Sequence, residues 1–115
     1  MWIITERESA MALVRRSEAG WAVHPGEILR EEFLQPLGIS GYALAKGLGV
    51  PAQKVNDVVL KKRGISADMA IRLGRFFETT PEFWMNLQAA YELWMARKAL
   101  KKTVERIHPH RAAVA

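Results

Sequence analysis

The chain has 115 residues, enough for one domain with a modest core and too few for two independent domains. Half of the residues are apolar, a quarter are charged and none is cysteine, which argues against a disordered chain and excludes disulfides, thiolate catalysis and cysteine-ligated metal centres. The net charge of +5 is unevenly spread, because residues 41–65 carry +4 and residues 96–115 carry +5. These two basic blocks predict an anionic partner, nucleic acid being the commonest.

The spacing of apolar residues predicts an all-α fold of five helices, because the period-two alternation of a half-buried strand is missing from every window of the sequence. Pro25 opens the first helix, which is expected over residues 26–34 and is stopped by Pro36 and Gly38. A second helix is expected over residues 40–48, with Ser40 as its N-cap. Two short helices therefore precede the basic run at residues 61–63 and the helix that leads to it.

Pro51 leads into a third helix, which is expected to end near the basic run at residues 61–63. A fourth helix begins at the N-cap Ser66. Thr80 and Pro81 then give the strongest helix start in the chain, an N-cap followed by proline at the first position. The basic run and the fifth helix thus flank a short fourth helix.

The second and third helices have the spacing of a helix-turn-helix. Numbered from Gly41, apolar residues stand at positions 4, 8, 10, 15 and 18, with Ala45 at position 5 and Gly49 at position 9. The alanine lets the two helices approach closely, and the glycine takes the backbone conformation of the turn. A helix-turn-helix places the start of its second helix in the major groove of DNA.

The residues expected to contact DNA fall into two groups. Side chains at the start of the third helix can read base edges, because amides pair with adenine, lysine reaches guanine or phosphate, and a methyl group touches thymine. These are Ala52, Gln53, Lys54 and Asn56. Side chains at the two edges of the motif are expected to hold phosphates. These are Ser40, Tyr42, Lys46, Lys61, Lys62 and Arg63.

The fifth helix predicts a homodimer. If it runs from Pro81 to Ile107 it is about 40 Å long, more than a small helical core can cover. Trp84 and Leu87 are expected in the core of the monomer, whereas the far half of the helix is exposed, frayed or packed on another chain, and packing on a second copy is the expectation adopted. The expected dimer contacts are Tyr91, Trp94 and Met95. Two copies would place two recognition helices about 34 Å apart, in successive major grooves.

Five segments together resemble the HigA family of type II antitoxins over about residues 24–95. They are HPGEILREEFLQPLG at 24–38, LAK at 44–46, GVP at 49–51, RGISAD at 63–68 and TPEFWMNLQ at 80–88. The resemblance implies a lambda-repressor-like domain that silences a small, basic, ribosome-dependent mRNA endonuclease of the HigB type. It also implies a dimer that represses its own operon on double-stranded operator DNA. Gly41 stands where the family usually has glutamine, and Leu60 and Lys61 stand where it usually has an asparagine and glycine turn.

A basic toxin would be attracted to the acidic surface of the first helix, so Glu27, Glu31 and Glu32 are the expected toxin contacts. Two alternatives remain at this point. The chain could be a repressor without a toxin partner, or a protein-only toxin inhibitor that has lost DNA binding, as Gly41 and Leu60 would suggest.

We expect no enzyme, cofactor or metal site. The carboxylates of the first helix lack a nucleophile, a base or a phosphate loop beside them, and His108 and His110 lack carboxylate company. The apolar run at residues 10–14 is far shorter than the roughly 20 residues that span a bilayer, and no export signal follows it. A cytoplasmic protein without a membrane partner is expected, with extensions at residues 1–23 and 96–115 around the domain at 24–95.

Overall fold

A computed structural model describes residues 23–111 of the chain, and every regular element in that range is a helix. Helix α1 is made of three consecutive segments, Pro25–Ile28, Leu29–Leu34 and Gln35–Leu37. The others are α2 (Gly41–Leu48), α3 (Ala52–Val59), α4 (Ala67–Phe77), α5 (Pro81–Ala99) and α6 (Lys101–Glu105). The predicted all-α fold is confirmed. Of the predicted extensions, residues 1–22 and 112–115 lie outside the described range.

Of the two residues predicted to stop helix α1, Gly38 ends it but Pro36 does not. Its middle segment is a π-helix, and the N–H of Gln35 donates to the carbonyl of Arg30, five residues back. Pro36 has no N–H, and its ring would collide with the carbonyl four residues back in a regular α-helix. The wider π turn accommodates the proline, so the helix continues to Leu37 and ends at Gly38, whose φ is 66°.

The core forms around the Trp84 side chain, which is fully buried as predicted. Its ring lies 5.0 Å from that of Phe33 in α1 and 5.1 Å from that of Phe83 in α5. Its indole N–H donates to Oγ1 of Thr79 at 2.8 Å, which satisfies a polar group inside the core. Aromatic side chains therefore join α1 and α5, and Phe77 extends the cluster to α4.

Three of the predicted helix starts are confirmed by their caps. The hydroxyl of Ser40 accepts from the N–H of Ala43 at 3.0 Å, and that of Ser66 accepts from the N–H of Met69 at 3.1 Å. Thr80 caps α5 in the same way. These bonds satisfy backbone donors that a helix leaves free at its N-terminus, so short polar residues fix where these helices begin.

The start of α1 is seated directly on α3. His24 is the N-cap of α1, and its Nδ1 accepts from the N–H of Gly26 at 2.9 Å. A Cβ atom on Gly26 would overlap the carbonyl oxygen of Val58. Glycine is therefore required at this position, because it lets the backbones of α1 and α3 touch.

The long C-terminal helix is interrupted, whereas the sequence allowed a continuous helix to Ile107. Leu100 leaves the helical conformation, with φ −101° and ψ 8°, and separates α5 from α6. The N–H of Leu100 still donates to Ala96, and its carbonyl accepts from Val104, so the direction of the chain is kept. Residues 100–111 are all exposed. Within the described range, every helix is too short or too polar to cross a membrane.

Candidate nucleic-acid interface

Helices α2 and α3 form the predicted helix-turn-helix. The apolar positions of the motif are buried at Leu44, Ala45, Leu48, Val55 and Val58. Gly49 has a φ of 73°, the left-handed conformation predicted for the turn, and the N–H of the next residue, Val50, donates to the carbonyl of Ala45. This backbone hydrogen bond closes the turn before α3 begins.

The predicted base-reading residues lie at the start of α3, and three of them are exposed. Gln53, Lys54 and Asn56 are in solvent contact, whereas Ala52 is half-buried against the core. The Oδ1 atom of Asn56 lies 3.1 Å from where a Cβ atom of Gly41 would be. Glycine at the start of α2 thus leaves room for the Asn56 amide, whereas a larger side chain would have to push it away.

The predicted phosphate contacts lie at both edges of the motif. At the start of α2 the Tyr42 side chain is 70% exposed, and Ser40 and Lys46 are also exposed. The three cations of the run at 61–63 are exposed beyond α3. The arrangement presents exposed amides between two sets of polar or basic side chains, an arrangement that fits the way a helix-turn-helix contacts DNA.

The basic turn after α3 is held by two ion pairs. Nζ of Lys61 lies 3.0 Å from Oε1 of Glu27, and Nη2 of Arg63 lies 3.9 Å from Oδ2 of Asp57. Lys62 has no ion pair within residues 23–111. The three cations therefore differ in how freely they can meet a phosphate.

Lys61 adopts a conformation that the sequence did not predict. Its φ is 65°, in the left-handed region, and its N–H donates to the carbonyl of Val58 at 3.0 Å. This conformation is unfavourable for a residue with a side chain. The family usually has asparagine and glycine at this turn, and both adopt a left-handed backbone more readily than lysine. Their replacement by Leu60 and Lys61 was the only sign in the sequence that this turn is unusual. The ion pair with Glu27 helps to hold the lysine in place.

His24 is a buried residue that caps α1. Burial lowers its pKa below the usual 6.5, the positive charge of Lys61 lowers it further, and the carboxylate of Glu27 acts in the opposite direction. Its ring packs edge-on against Tyr91, with the centroids 4.9 Å apart. The lowered pKa keeps the imidazole neutral, which the cap of α1 requires, because Nδ1 must accept a hydrogen bond.

One residue that positions the basic turn was not identified from the sequence. Oε1 of Gln88, on α5, accepts from the N–H of Ile65 at 2.7 Å. The Gln88 amide also fills the space that a side chain on Gly64 would need. The only indication of this role in the sequence was that Gln88 ends the TPEFWMNLQ segment at residues 80–88. Gln88 thus ties the segment after α3 to α5.

The predicted toxin contacts lie on α1 in different surroundings. Glu27 is engaged by Lys61, whereas Glu31 and Glu32 lie in the π-helical segment and are half-buried. Glu31 pairs with Arg30 at 3.1 Å. The three carboxylates share one helix, but Glu27 is also held by an ion pair with Lys61 of the basic turn.

The predicted dimer contacts lie on α5 beyond the core. Tyr91 and Trp94 are half-buried, and Met95 is 46% exposed. Tyr91 contacts His24 of its own chain, and the Lys98 ammonium lies 5.2 Å from the Trp94 ring. Trp94 and Met95 are therefore better placed than Tyr91 to meet a partner.

His108 and His110 are exposed near the end of the described range. Between residues 23 and 111, the structure brings together no group of three histidine, aspartate or glutamate side chains that could hold a metal ion.

No protein-family model matches the chain. It is 37% identical over 87 residues to antitoxin HigA-1 of Vibrio cholerae, and the match covers 76% of this chain and 82% of that antitoxin. The chain belongs to the HigA family of antitoxins. The resemblance seen in its motifs is thereby confirmed.

Solved structures support the same membership of the HigA family. The antitoxin HigA of Pseudomonas aeruginosa, solved with the higBA promoter, is 56% identical with a TM-score of 0.75, and the match covers 77% of this chain and 98% of that one. Virulence-associated protein I of Dichelobacter nodosus is 52% identical over 77 residues, which cover 67% of this chain and 71% of that protein. The two HigA relatives are named as antitoxins, and a relative from Haemophilus influenzae is named as a helix-turn-helix transcriptional regulator.

Proposed function

We propose that this HigA family member is the antitoxin of a type II toxin-antitoxin module and represses its own operon. It binds operator DNA through α3 and neutralises a small basic mRNA endonuclease of the HigB type. The observation that carries the proposal is the helix-turn-helix itself, whose amides and lysine at the start of α3 are exposed between basic edges. A relative 56% identical to this chain, the antitoxin HigA of Pseudomonas aeruginosa, was solved with the higBA promoter.

The DNA-binding half rests on two properties of the exposed side chains. Gln53 and Asn56 can each donate and accept at once, as adenine recognition in the major groove requires. The cations at residues 61–63 follow α3 directly and supply the electrostatic affinity that all DNA binding needs. These exposed residues favour a DNA-binding antitoxin over a protein-only inhibitor.

The toxin half rests on family membership and on charge. Glu31 and Glu32 lie on α1, and residues 25–40 carry a net charge of −2, which would attract a basic protein. Their helix reaches α3 through its first turn, at Gly26 and Glu27.

The proposed assembly is a homodimer that uses the far half of α5. One helix-turn-helix reads only a few base pairs, so repression of a single operon needs two copies at a fixed spacing. Apolar side chains continue beyond the core, through α5 and α6 and the residues next to them, at Leu93, Met95, Leu100, Val104 and Ile107. A second copy would cover part of this surface. The assembly would act in the cytoplasm, without enzymatic activity of its own.

Co-expression with the product of the neighbouring reading frame tests the proposal. We expect a small basic protein that is toxic alone, becomes harmless with this chain and co-purifies with it. The chain should also bind the DNA upstream of the gene pair. DNA binding without a toxic partner would indicate a stand-alone repressor, and neutralisation without DNA binding would indicate a protein-only inhibitor.

A further inference from the structure

The guanidinium of Arg72, on α4, reaches the end of α2. Its Nη1 donates to the carbonyl oxygen of Leu48 at 2.7 Å and lies 3.5 Å from that of Gly49. Its Nε donates to Oδ1 of Asp68 at 2.7 Å. One side chain thus links two helices through the turn between α2 and α3.

This contact matches what the end of a helix lacks. The last carbonyls of an α-helix have no partner within the helix, and the end carries a partial negative charge. A guanidinium supplies both a positive charge and several donors in a fixed plane. Asp68, one helical turn before Arg72, holds that plane by accepting from Nε, so the donors on the other side point at Leu48.

The backbone of the turn between α2 and α3 has little conformational freedom apart from the part that Arg72 contacts. Three residues separate α2 from α3, and the first, Gly49, is the one whose left-handed conformation reverses the chain. The guanidinium lies over this glycine, 3.5 Å from where a Cβ atom would be. The third, Pro51, has its φ fixed by its ring. Fixing the carbonyls of Leu48 and Gly49 therefore fixes the direction in which α3 leaves.

We propose that Arg72 is a positioning residue for base recognition, acting through the turn to hold α3 at one angle to α2. The inference rests on the proposed DNA-binding function. Hydrogen bonds to base edges require a fixed angle of α3, because both partners are rigid and directional. Long lysine side chains on phosphates tolerate a change of angle. Arg72 therefore contributes more to selectivity between sequences than to general DNA affinity.

The test compares Arg72→Met with the wild type on two duplexes of equal length. One is enriched from a random-sequence pool by the wild-type protein, and the other is a scrambled version of it. We expect the variant to bind the enriched duplex about tenfold more weakly and the scrambled duplex within about twofold of wild type. The slope of affinity against salt should not change, because no phosphate contact is removed.

Arg75→Met is the matched control. Arg75 lies on the same helix and is exposed, and it has no ion pair within residues 23–111. Its loss removes the same charge without touching the turn, so we expect wild-type selectivity. Asp68→Asn should weaken selectivity in the same direction as Arg72→Met but by less, and it serves as the readout if Arg72→Met does not fold.

Two further measurements separate positioning from a general loss of stability. Amide hydrogen exchange at Val50 should accelerate in Arg72→Met at a temperature where circular dichroism shows both proteins fully folded. Arg72→Lys keeps a donor for Leu48 and should recover part of the selectivity. Equal losses on both duplexes, or a salt slope lower by about one, would overturn the inference. A wild-type protein that enriches no duplex would instead refute the proposed function.

Discussion

Nζ of Lys61 donates to Oε1 of Glu27 across 3.0 Å, which joins the turn after α3 to the first turn of α1. The lysine has a left-handed backbone, and its partner carboxylate is only 19% exposed. The cation is therefore held beside the recognition helix rather than freely mobile. Neighbouring Lys62, without such a pair within residues 23–111, is free to meet a phosphate.

This difference predicts distinct effects on DNA binding. Lys62→Ala should weaken binding on all duplexes and flatten the slope of log affinity against log salt by about 0.9, the value for one lost phosphate contact. Lys61→Gly should also weaken DNA binding, while its free energy of unfolding stays near that of wild type, because glycine relieves the left-handed backbone. Salt titrations and urea unfolding measure the two quantities. An unchanged salt slope in a double variant that replaces Lys61 and Arg63 would show that these two cations do not contact phosphates. Arg75→Ala is the control.

His24 predicts a dependence of stability on pH. Its pKa is lowered in the folded state, mainly by burial, so the unfolded chain takes up the proton first as the pH falls. The stabilisation is present above pH 6.5 and is lost as the pH falls below that value and through the folded-state pKa. The slope contributed by one histidine is at most about 1.4 kcal/mol per pH unit.

The matched variant for this measurement is His24→Asn, since asparagine caps a helix and does not titrate. Urea unfolding is measured between about pH 7.5 and about pH 5, a range that includes the ordinary histidine pKa of about 6.5. Wild type should lose stability more steeply than the variant as the pH falls. Parallel profiles would mean that the His24 cap tolerates protonation. Carboxylates such as Glu27 are common to both proteins and cancel in the difference.

Charge reversal separates the proposed toxin surface from the DNA surface. Glu31→Lys and Glu32→Lys should reduce neutralisation of the co-expressed toxin while leaving DNA affinity unchanged, because both residues lie in the π-helical middle of α1. Glu27→Lys should impair both activities, because it removes the partner of Lys61. Growth rescue and DNA titration are the two readouts. Full neutralisation by the Glu31 and Glu32 variants would place the toxin elsewhere, and Glu82→Lys on α5 is the control.

The sequence predicted those parts of the fold that depend on local chemistry. Short polar caps at Ser40, Ser66 and Thr80, the buried spacing of the helix-turn-helix and the left-handed Gly49 all follow from residues within one or two turns of each other. Periodicity also placed Trp84 in the core.

The parts that it missed depend on contacts between distant segments. Arg72 meets Leu48 across 24 residues, and Gln88 meets Ile65 across 23. Neither partner can be identified from the residues around it. The π turn before Pro36 was missed for another reason, since proline usually ends a helix and here the helix widens instead.

The proposed dimer predicts the behaviour of a truncated chain. Ending the chain after Leu93 keeps Trp84, Leu87 and Tyr91, which pack on their own core, and removes Trp94 and Met95. We expect a folded monomer whose DNA affinity is greatly weakened. Sedimentation equilibrium at micromolar concentration measures the change. A monomeric intact protein, or a truncated protein that still forms dimers, would show that the contact lies elsewhere.

The central claim is that α3 reads DNA sequence, and Gln53→Ala tests it most directly. Gln53 is exposed at the start of α3, and its amide is expected to form two hydrogen bonds with one adenine. Affinity is measured for wild type and variant on the enriched duplex and on a panel carrying every single base-pair substitution. We expect a loss of about 1–3 kcal/mol on the enriched duplex and relaxed preference at one base pair, with the other positions unchanged. A uniform loss across the whole panel would contradict base reading by this residue and reduce Gln53 to a phosphate contact.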